Sequence, residues 1–183
     1  MLKKVVFLDR DGVINRDSPD YIKSWAEFEF LPGSIDAIRR LSASGFTIIV
    51  ITNQSAINRG MVPVRELEHM HKRMRQAVAE GGGEIRDIFF CPHTPDEGCD
   101  CRKPLPGLIH SAQKAYHADL SDACMVGDNA TDILCARNAG CARAVLVRTG
   151  NFLAAEKILA ENKIRPDHVA DDLSRAADWI MKG

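Results

Sequence analysis

The chain lacks a long apolar run and an excess of either charge, and each absence removes a class of protein. No apolar stretch approaches the ~18 residues that a membrane helix needs. Only four apolar residues lie between Lys4 and Asp9, too few for the core of a signal peptide. The 24 Lys and Arg residues are balanced by 25 Asp and Glu, a formal net charge of -1, so the electrostatic footprint of a nucleic-acid binder is missing. There is no internal repeat, low-complexity tract or heptad pattern. What remains is one ordinary soluble globular domain over residues 1–183, with 45% hydrophobic and 27% charged residues. A cytoplasmic location is the expectation. A chain this long buries roughly 70% of its unfolded surface, so its six cysteines are read as free thiols or metal ligands and not as a disulfide framework.

Apolar runs and helical spacings alternate along the sequence. Val5-Val6-Phe7-Leu8 is a continuous apolar run, the mark of a strand buried on both faces of a parallel sheet, and Thr47 to Ile51 repeats it. Between them, Pro32-Gly33 opens and Gly45 closes a segment with Ile35, Ile38 and Leu41 at helical spacing. The pattern continues as a helix over 64–80, the run Ile88-Phe89-Phe90, a helix over 106–116, the run 123–126, a helix over 130–139 and the run 144–147. Residues 166–170 read as a short edge strand and 173–181 as a final helix. Such alternation predicts a doubly wound α/β fold with a mainly parallel sheet. Two long loops, over 13–31 and 92–105, break the rhythm, and long loops in compact domains are usually functional.

Ligands of open α/β sheets bind beyond the C-terminal ends of the strands. Four strand ends carry chemistry here: Asp9-Arg10-Asp11-Gly12, Thr52-Asn53-Gln54, Gly127-Asp128-Asn129, and a loop ending Cys101-Arg102-Lys103-Pro104. Asp9, Asp11 and Asp128 in one crevice would repel by about 4 kcal/mol per pair at ~4 Å and an effective dielectric of 20. A cation must offset that, and an all-oxygen donor set suits Mg²⁺ together with a substrate phosphate. Arg102 or Lys103 supplies fixed positive charge, and Thr52 with the following backbone N–H groups supplies donors. One carboxylate can attack phosphorus and form an aspartyl phosphate. A second can protonate the leaving alkoxide and then deprotonate water. Gly12 permits the sharp turn that Asp9 and Asp11 need to act together.

The loop Cys91-Pro92-His93 … Cys99-Asp100-Cys101 holds three cysteines and a histidine, a complete tetrahedral Zn²⁺ set with no open position. It has almost nothing apolar to bury, so a structural zinc would give it order and fix where Arg102 and Lys103 point. Cys124, Cys135 and Cys141 lie in apolar contexts and read as buried thiols. His69, His71, His110, His117 and His168 have no motif partner and read as structural or surface residues.

Asp9-x-Asp11-Gly12-Val13, Thr52, Lys103 and Gly127-Asp128-x-x-x-Asp132 resemble, in order, the four motifs of the haloacid dehalogenase superfamily over essentially the whole chain. The resemblance implies Asp9 as nucleophile and Asp11 as general acid/base. Thr52 and Lys103 would hold the phosphoryl group. Asp9, the Asp11 carbonyl and Asp128 would be Mg²⁺ ligands, and Asp132 a supporting or capping residue. The two long loops are too short for a cap domain, so the crevice should be open. The zinc loop, with Phe7 to Gly12, Thr52 to Ser55 and Cys101 to Pro104, is similar to one branch of that superfamily. That branch contains D-glycero-D-manno-heptose 1,7-bisphosphate 7-phosphatases and histidinol-phosphate phosphatases.

Within the branch a free-standing chain of this size favours the heptose enzyme, which serves heptose precursor synthesis for lipopolysaccharide or cell-surface glycans. The resemblance then implies substrate recognition by Arg102. It also implies a lining of Asp9, Arg10, Asp11, Asp17, Ser18, Pro19, Asp20, Tyr21, Thr52, Asn53, Gln54, Ser55, Lys103 and Asn129. Asn129 stands where many relatives have Lys or Arg. Histidinol phosphate is the alternative substrate. A phosphate-binding module has no need of the Asp9–Asp11 pair, and nucleic-acid 3′-phosphate processing lacks a basic, aromatic-bearing groove. A small-molecule sugar bisphosphate is the expected partner and a monomer the expected state.

Overall fold

A computed structural model describes all of residues 1–183. Six parallel strands form one sheet: β1 (Val5–Leu8), β2 (Thr47–Asn53), β3 (Asp87–Cys91), β4 (Cys124–Gly127), β5 (Arg143–Val147) and β6 (His168–Ala170). Their order is β3-β2-β1-β4-β5-β6. Between them run α1 (Ser34–Ala43), α2 (Val64–Glu80), α3 (Gly107–Tyr116), α4 (Ala130–Ala139), α5 (Phe152–Glu161) and α6 (Leu173–Met181).

Side-chain alternation along the strands splits the core in two. Val6, Leu8, Ile48 and Val50 face one side, where Ile38 and Leu41 of α1, Met70 and Met74 of α2, and Ile180 of α6 cover them. Val5, Phe7, Ile49 and Ile51 face the other, against Ile109 of α3, Ile133 of α4 and Leu159 of α5. Both faces of the central strands are therefore sealed, which is why those strands read as unbroken apolar runs. The doubly wound parallel sheet expected from the sequence is what forms.

From β1 the chain builds outward through β2 to β3 and then crosses back to lay β4 on the other side of β1, so the strand order reverses between β1 and β4 and opens a crevice above their C-terminal ends. Leu8 is level with both Val50 and Val126, which sets Asp9, Thr52 and Asp128 around the same opening. The segments after β1 and β3 contain single 3₁₀ turns, Trp25–Glu27 and Pro95–Glu97, with isolated bridges from Asn15 to Asp11 and Phe30 in the first, and no inserted domain. No helix is long and apolar enough to cross a membrane. Helix α5 is an element the sequence reading passes over, although its Ala-, Leu- and Glu-rich composition is strongly helix-forming.

Candidate active site

Above the sheet lies a cavity of about 560 Å³ lined almost entirely by polar residues. Asp9, Arg10, Asp11, Asp17, Ser18, Pro19, Tyr21, Thr52, Asn53, Gln54, Ser55, Arg102, Lys103, Asp128 and Asn129 all border it. Of the positions expected there, Asp20 alone lies outside: it is exposed, its N–H donating to Ser18 Oγ at 3.2 Å. Ile22, Pro95, Pro104, Thr131 and Asn151 also line the cavity. Pro104 and Thr131 sit within the quoted strand-end motifs, Thr131 in the first turn of α4, whereas Ile22, Pro95 and Asn151 come from segments between the main elements that only the folded chain brings over the crevice.

Parity along β1 decides which way its acidic end points. Asp9 continues the row of Val5 and Phe7, and its carboxylate meets Lys103 Nζ at 2.9 Å. Lys103 is buried, donates to the Ile51 carbonyl at 2.9 Å, and sits 2.6 Å from Asp132 Oδ1. Asp132 is fully buried and works at both ends: Oδ2 accepts the Asn129 N–H at 3.0 Å, closing a capping box at the start of α4. Asn53 fixes the Lys103 backbone, accepting its N–H at 3.0 Å and donating to its carbonyl at 3.1 Å. Both ends of that amide are thereby engaged by the main chain.

Asp11 is held by a different group. Its Oδ1 accepts from Arg10 NH2 at 2.8 Å and Asn15 Nδ2 at 2.9 Å, and its Oδ2 from Gln54 Nε2 at 2.8 Å. Gln54 Nε2 also reaches Thr52 Oγ1 at 2.9 Å. Gly12 makes the turn at φ 79°, and a Cβ there would collide with the Asp128 carboxylate. Gly150, at φ 61°, is bare for the same reason. Without side chains at these two positions the backbone closes around Asp128, whose Oδ2 accepts the Asn151 N–H at 2.7 Å. The Asn151 amide also donates to Asp17 Oδ2 at 2.9 Å, joining the loop after β1 to the loop after β5.

The carboxyls do not share one electrostatic fate. Burial raises Asp9 to about 7, with Asp132 and Asp11 adding repulsion and Lys103 opposing it. Asp128 rises to about 8, through burial and then through Asp132 and Asp9. Burial acts on Asp11 as well, but Arg10, Asn15 and Gln54 outweigh it and hold this carboxyl below its ordinary range. Lys103 stays above the ordinary lysine value because Asp132 and Asp9 more than offset its burial. The ligand oxygens of Asp9, Asp128 and Asp132 lie within 4.8 Å of one another. Such a cluster has more negative charge than Lys103 neutralises, and it can hold a metal ion.

A second cluster lies beside the cavity. Cys91 Sγ is 3.1 Å from Cys101 Sγ and 3.6 Å from Cys99 Sγ, and His93 Nδ1 is 3.5 Å from Cys91 and 3.4 Å from Cys101. All four ligand atoms converge, so this group too can hold a metal ion. Arg102 NH1 donates to the His93 carbonyl at 3.0 Å, which ties its side chain to the same loop. Cys124, Cys135 and Cys141 are buried thiols, as their apolar contexts predict.

A doubly wound parallel sheet with acidic residues at the ends of its two switch-point strands and a buried lysine facing them defines a haloacid dehalogenase-like hydrolase. The HAD-hydrolase-like family model matches residues 100–176. The D-glycero-beta-D-manno-heptose-1,7-bisphosphate 7-phosphatase of Pseudomonas putida is 47% identical over 97% of this chain and 99% of its own. Its namesake in Bordetella bronchiseptica is 42% identical, covering 98% of each. The crystal structure of D,D-heptose 1,7-bisphosphate phosphatase from B. bronchiseptica, complexed with magnesium and phosphate, superposes with a TM-score of 0.91, at 40% identity and 98% coverage of both chains. The corresponding enzyme of Burkholderia thailandensis gives 0.73 at 34% identity, covering 99% of this chain and 100% of its own. The chain belongs to this heptose-bisphosphate phosphatase family of the haloacid dehalogenase-like hydrolases.

Proposed function

We propose that the protein is a Mg²⁺-dependent phosphatase that removes the C7 phosphate of D-glycero-β-D-manno-heptose 1,7-bisphosphate through an aspartyl phosphate at Asp9. The observation that carries the reading is the placement of Asp9 and Asp11 on separate supports beside one polar cavity. Asp9 lies against Lys103, and Asp11 is gripped by Arg10, Asn15 and Gln54. Relatives at 40–47% identity over nearly the whole chain support the substrate.

In the first displacement an Asp9 carboxylate oxygen attacks phosphorus. The bond from phosphorus to the ester oxygen breaks, and Asp11, whose carboxyl the negative charge of bound phosphate raises from its depressed range in the free site, gives that oxygen a proton. In the second, water attacks the same phosphorus, loses its proton to the Asp11 carboxylate, and Asp9 departs as a free carboxylate with inorganic phosphate. Proton transfer of this kind contributes roughly 10²- to 10⁴-fold. Lys103 and the Thr52 hydroxyl stand where the transferring oxygens gather charge. Arg102, the loop over 17–21 and Asn129 would orient the sugar and its remaining phosphate.

The carboxylate cluster fits Mg²⁺, a hard cation that takes oxygen donors and retains water and phosphate ligands. Asp9, Asp128 and the Asp11 carbonyl would hold it, while Asp132 is occupied by Lys103 and the cap of α4. When bound, the ion supplies positive charge to the phosphoryl oxygens. The Cys91–His93–Cys99–Cys101 cluster fits a structural Zn²⁺. Zn–S bonds of about 2.3 Å put tetrahedral sulfurs roughly 3.8 Å apart, close to the separations of 3.1 and 3.6 Å found here. A zinc there would fix the loop that carries Arg102 and Lys103.

Acid quenching during turnover followed by peptide mass mapping tests the intermediate. The expected result is one added phosphoryl group on the peptide containing Asp9, absent in Asp9→Asn, which also loses turnover while staying folded. Substantial turnover by a folded Asp9→Asn would remove Asp9 from this role.

A further inference from the structure

Arg10 is the largest fully buried side chain of the molecule, with 1% of its surface exposed, although it borders the polar cavity. Along β1 it continues the row of Val6 and Leu8, so its guanidinium enters the face covered by α2. There it lies over the Phe28 ring, 5.9 Å from the centroid, and NH1 is 3.3 Å from Nε2 of the buried His71. Burial first, and then the Arg10 charge, depress His71 to about 3, so the imidazole is neutral and Nε2 can accept the Arg10 proton.

The other side of the guanidinium fork closes on Asp11. Nε reaches Oδ1 at 3.2 Å, and NH2 reaches Oδ1 at 2.8 Å and Oδ2 at 2.9 Å. Asp11 is the only acidic partner of Arg10 within ion-pair distance. A buried charge with one anionic partner is expensive to keep unless its geometry matters. A planar fork on a carboxylate fixes the orientation of the plane as well as the position, which a lysine ammonium cannot do.

We propose that Arg10, backed by His71, is the positioning residue of the general acid/base. The His71–Arg10–Asp11 chain runs from α2 to the cavity and sets the orientation in which the Asp11 carboxyl exchanges a proton with the leaving oxygen and with water. This inference rests on the assignment of Asp11 made above. It also gives Arg10 a task other than contact with substrate.

The leaving group separates positioning from general structural support. p-Nitrophenyl phosphate departs as a stable phenolate and needs no proton in the first displacement, whereas a sugar alkoxide does. In both cases the second displacement needs Asp11 as base. Arg10→Lys in the full-length, Mg²⁺-loaded protein should therefore turn over heptose bisphosphate about 10²-fold more slowly with KM little changed. On p-nitrophenyl phosphate it should still release a rapid burst of one nitrophenolate per enzyme before slow turnover.

Asp11→Asn should behave in the same way, and it is the control for the assignment of Asp11. Asp11→Asn without the split between burst and turnover overturns that assignment and this inference with it. Asp11→Asn with the split and Arg10→Lys without it overturns this inference alone. His71 gives a second route should Arg10→Lys fail to fold. His71→Leu, which removes the acceptor, should show the split, and His71→Gln, which can restore an acceptor, should recover most of the turnover. Equal behaviour of the two His71 variants overturns the proposal.

Discussion

Replacing Lys103 by methionine keeps most of the side chain's bulk and deletes the ammonium sealed between Asp9 and Asp132. Nζ lies 2.9 Å from one carboxylate oxygen and 2.6 Å from the other. At an effective dielectric of 20, each attraction is worth about 6 kcal/mol. Desolvation of the ions offsets much of this, and removing one partner of a buried pair typically costs about 3–5 kcal/mol because the other charge is left uncompensated. Here two carboxylates and the Ile51 carbonyl lose their partner together, which places the loss at the upper end.

For a chain of this size each kcal/mol moves Tm by about 2–4 °C, so the expected fall is roughly 10–20 °C. Urea and thermal unfolding of Lys103→Met and wild type at neutral pH, with and without Mg²⁺, measure it. The deficit should shrink when Mg²⁺ is added, since a bound cation supplies part of the missing charge and stabilises the folded state by mass action. A metal-free variant within 1 kcal/mol of wild type would refute the idea that Lys103 compensates the cluster.

Other perturbations test separate parts of the structure. His71 is depressed to about 3 in the fold against an ordinary 6.5, so the unfolded chain takes up its proton first. The neutral histidine's contribution is therefore complete above pH 6.5 and is lost as pH falls toward 3. At pH 5 the loss is about 2 kcal/mol, so urea midpoints of wild type should fall more between pH 7 and 5 than those of His71→Gln; equal falls would contradict the assignment. Asn151→Ala removes the hydrogen bond to Asp17 while leaving the backbone N–H on Asp128. A loss of about 1 kcal/mol predicts a roughly fivefold higher KM with kcat retained, and the reverse pattern would contradict a binding role. Elemental analysis of wild type should find one zinc, Cys99→Ser should lose it, and the variant's kcat/KM should fall as Arg102 loses its anchored loop. A metal-replete wild type without zinc would overturn that account.

Most of this arrangement was legible because it is written in short-range patterns. The unbroken apolar runs at Val5 to Leu8 and Thr47 to Ile51 required strands buried on both faces, and Gly33 and Gly45 bracket α1 as helix punctuation should. Asp9 and Asp128 follow strands directly and Thr52 is the next-to-last residue of β2, so locating the strands located them. Three things escaped. Asn151 and Ile22 reach the cavity through loops whose course depends on packing.

The Lys103–Asp132 pair joins a loop to a helix 29 residues further along the chain, a separation at which no periodicity operates. Arg10 was grouped with the substrate contacts by position in its motif, yet strand parity carries a signal to the contrary. Residues 6, 8 and 10 share one row, and that row is core. The same parity would have suggested a buried partner for it, which α2 supplies as His71.

The measurement that bears most directly on the central claim is initial-rate phosphate release with Mg²⁺. The substrates are both anomers of D-glycero-D-manno-heptose 1,7-bisphosphate, histidinol phosphate and a panel of sugar monophosphates, compared as kcat/KM. The account predicts that the β-anomer is preferred by a hundredfold or more, about 2.7 kcal/mol of transition-state binding, with phosphate released from C7 and activity abolished by chelation of Mg²⁺. A higher kcat/KM for histidinol phosphate would leave the catalytic groups in place and contradict the assignment of the substrate.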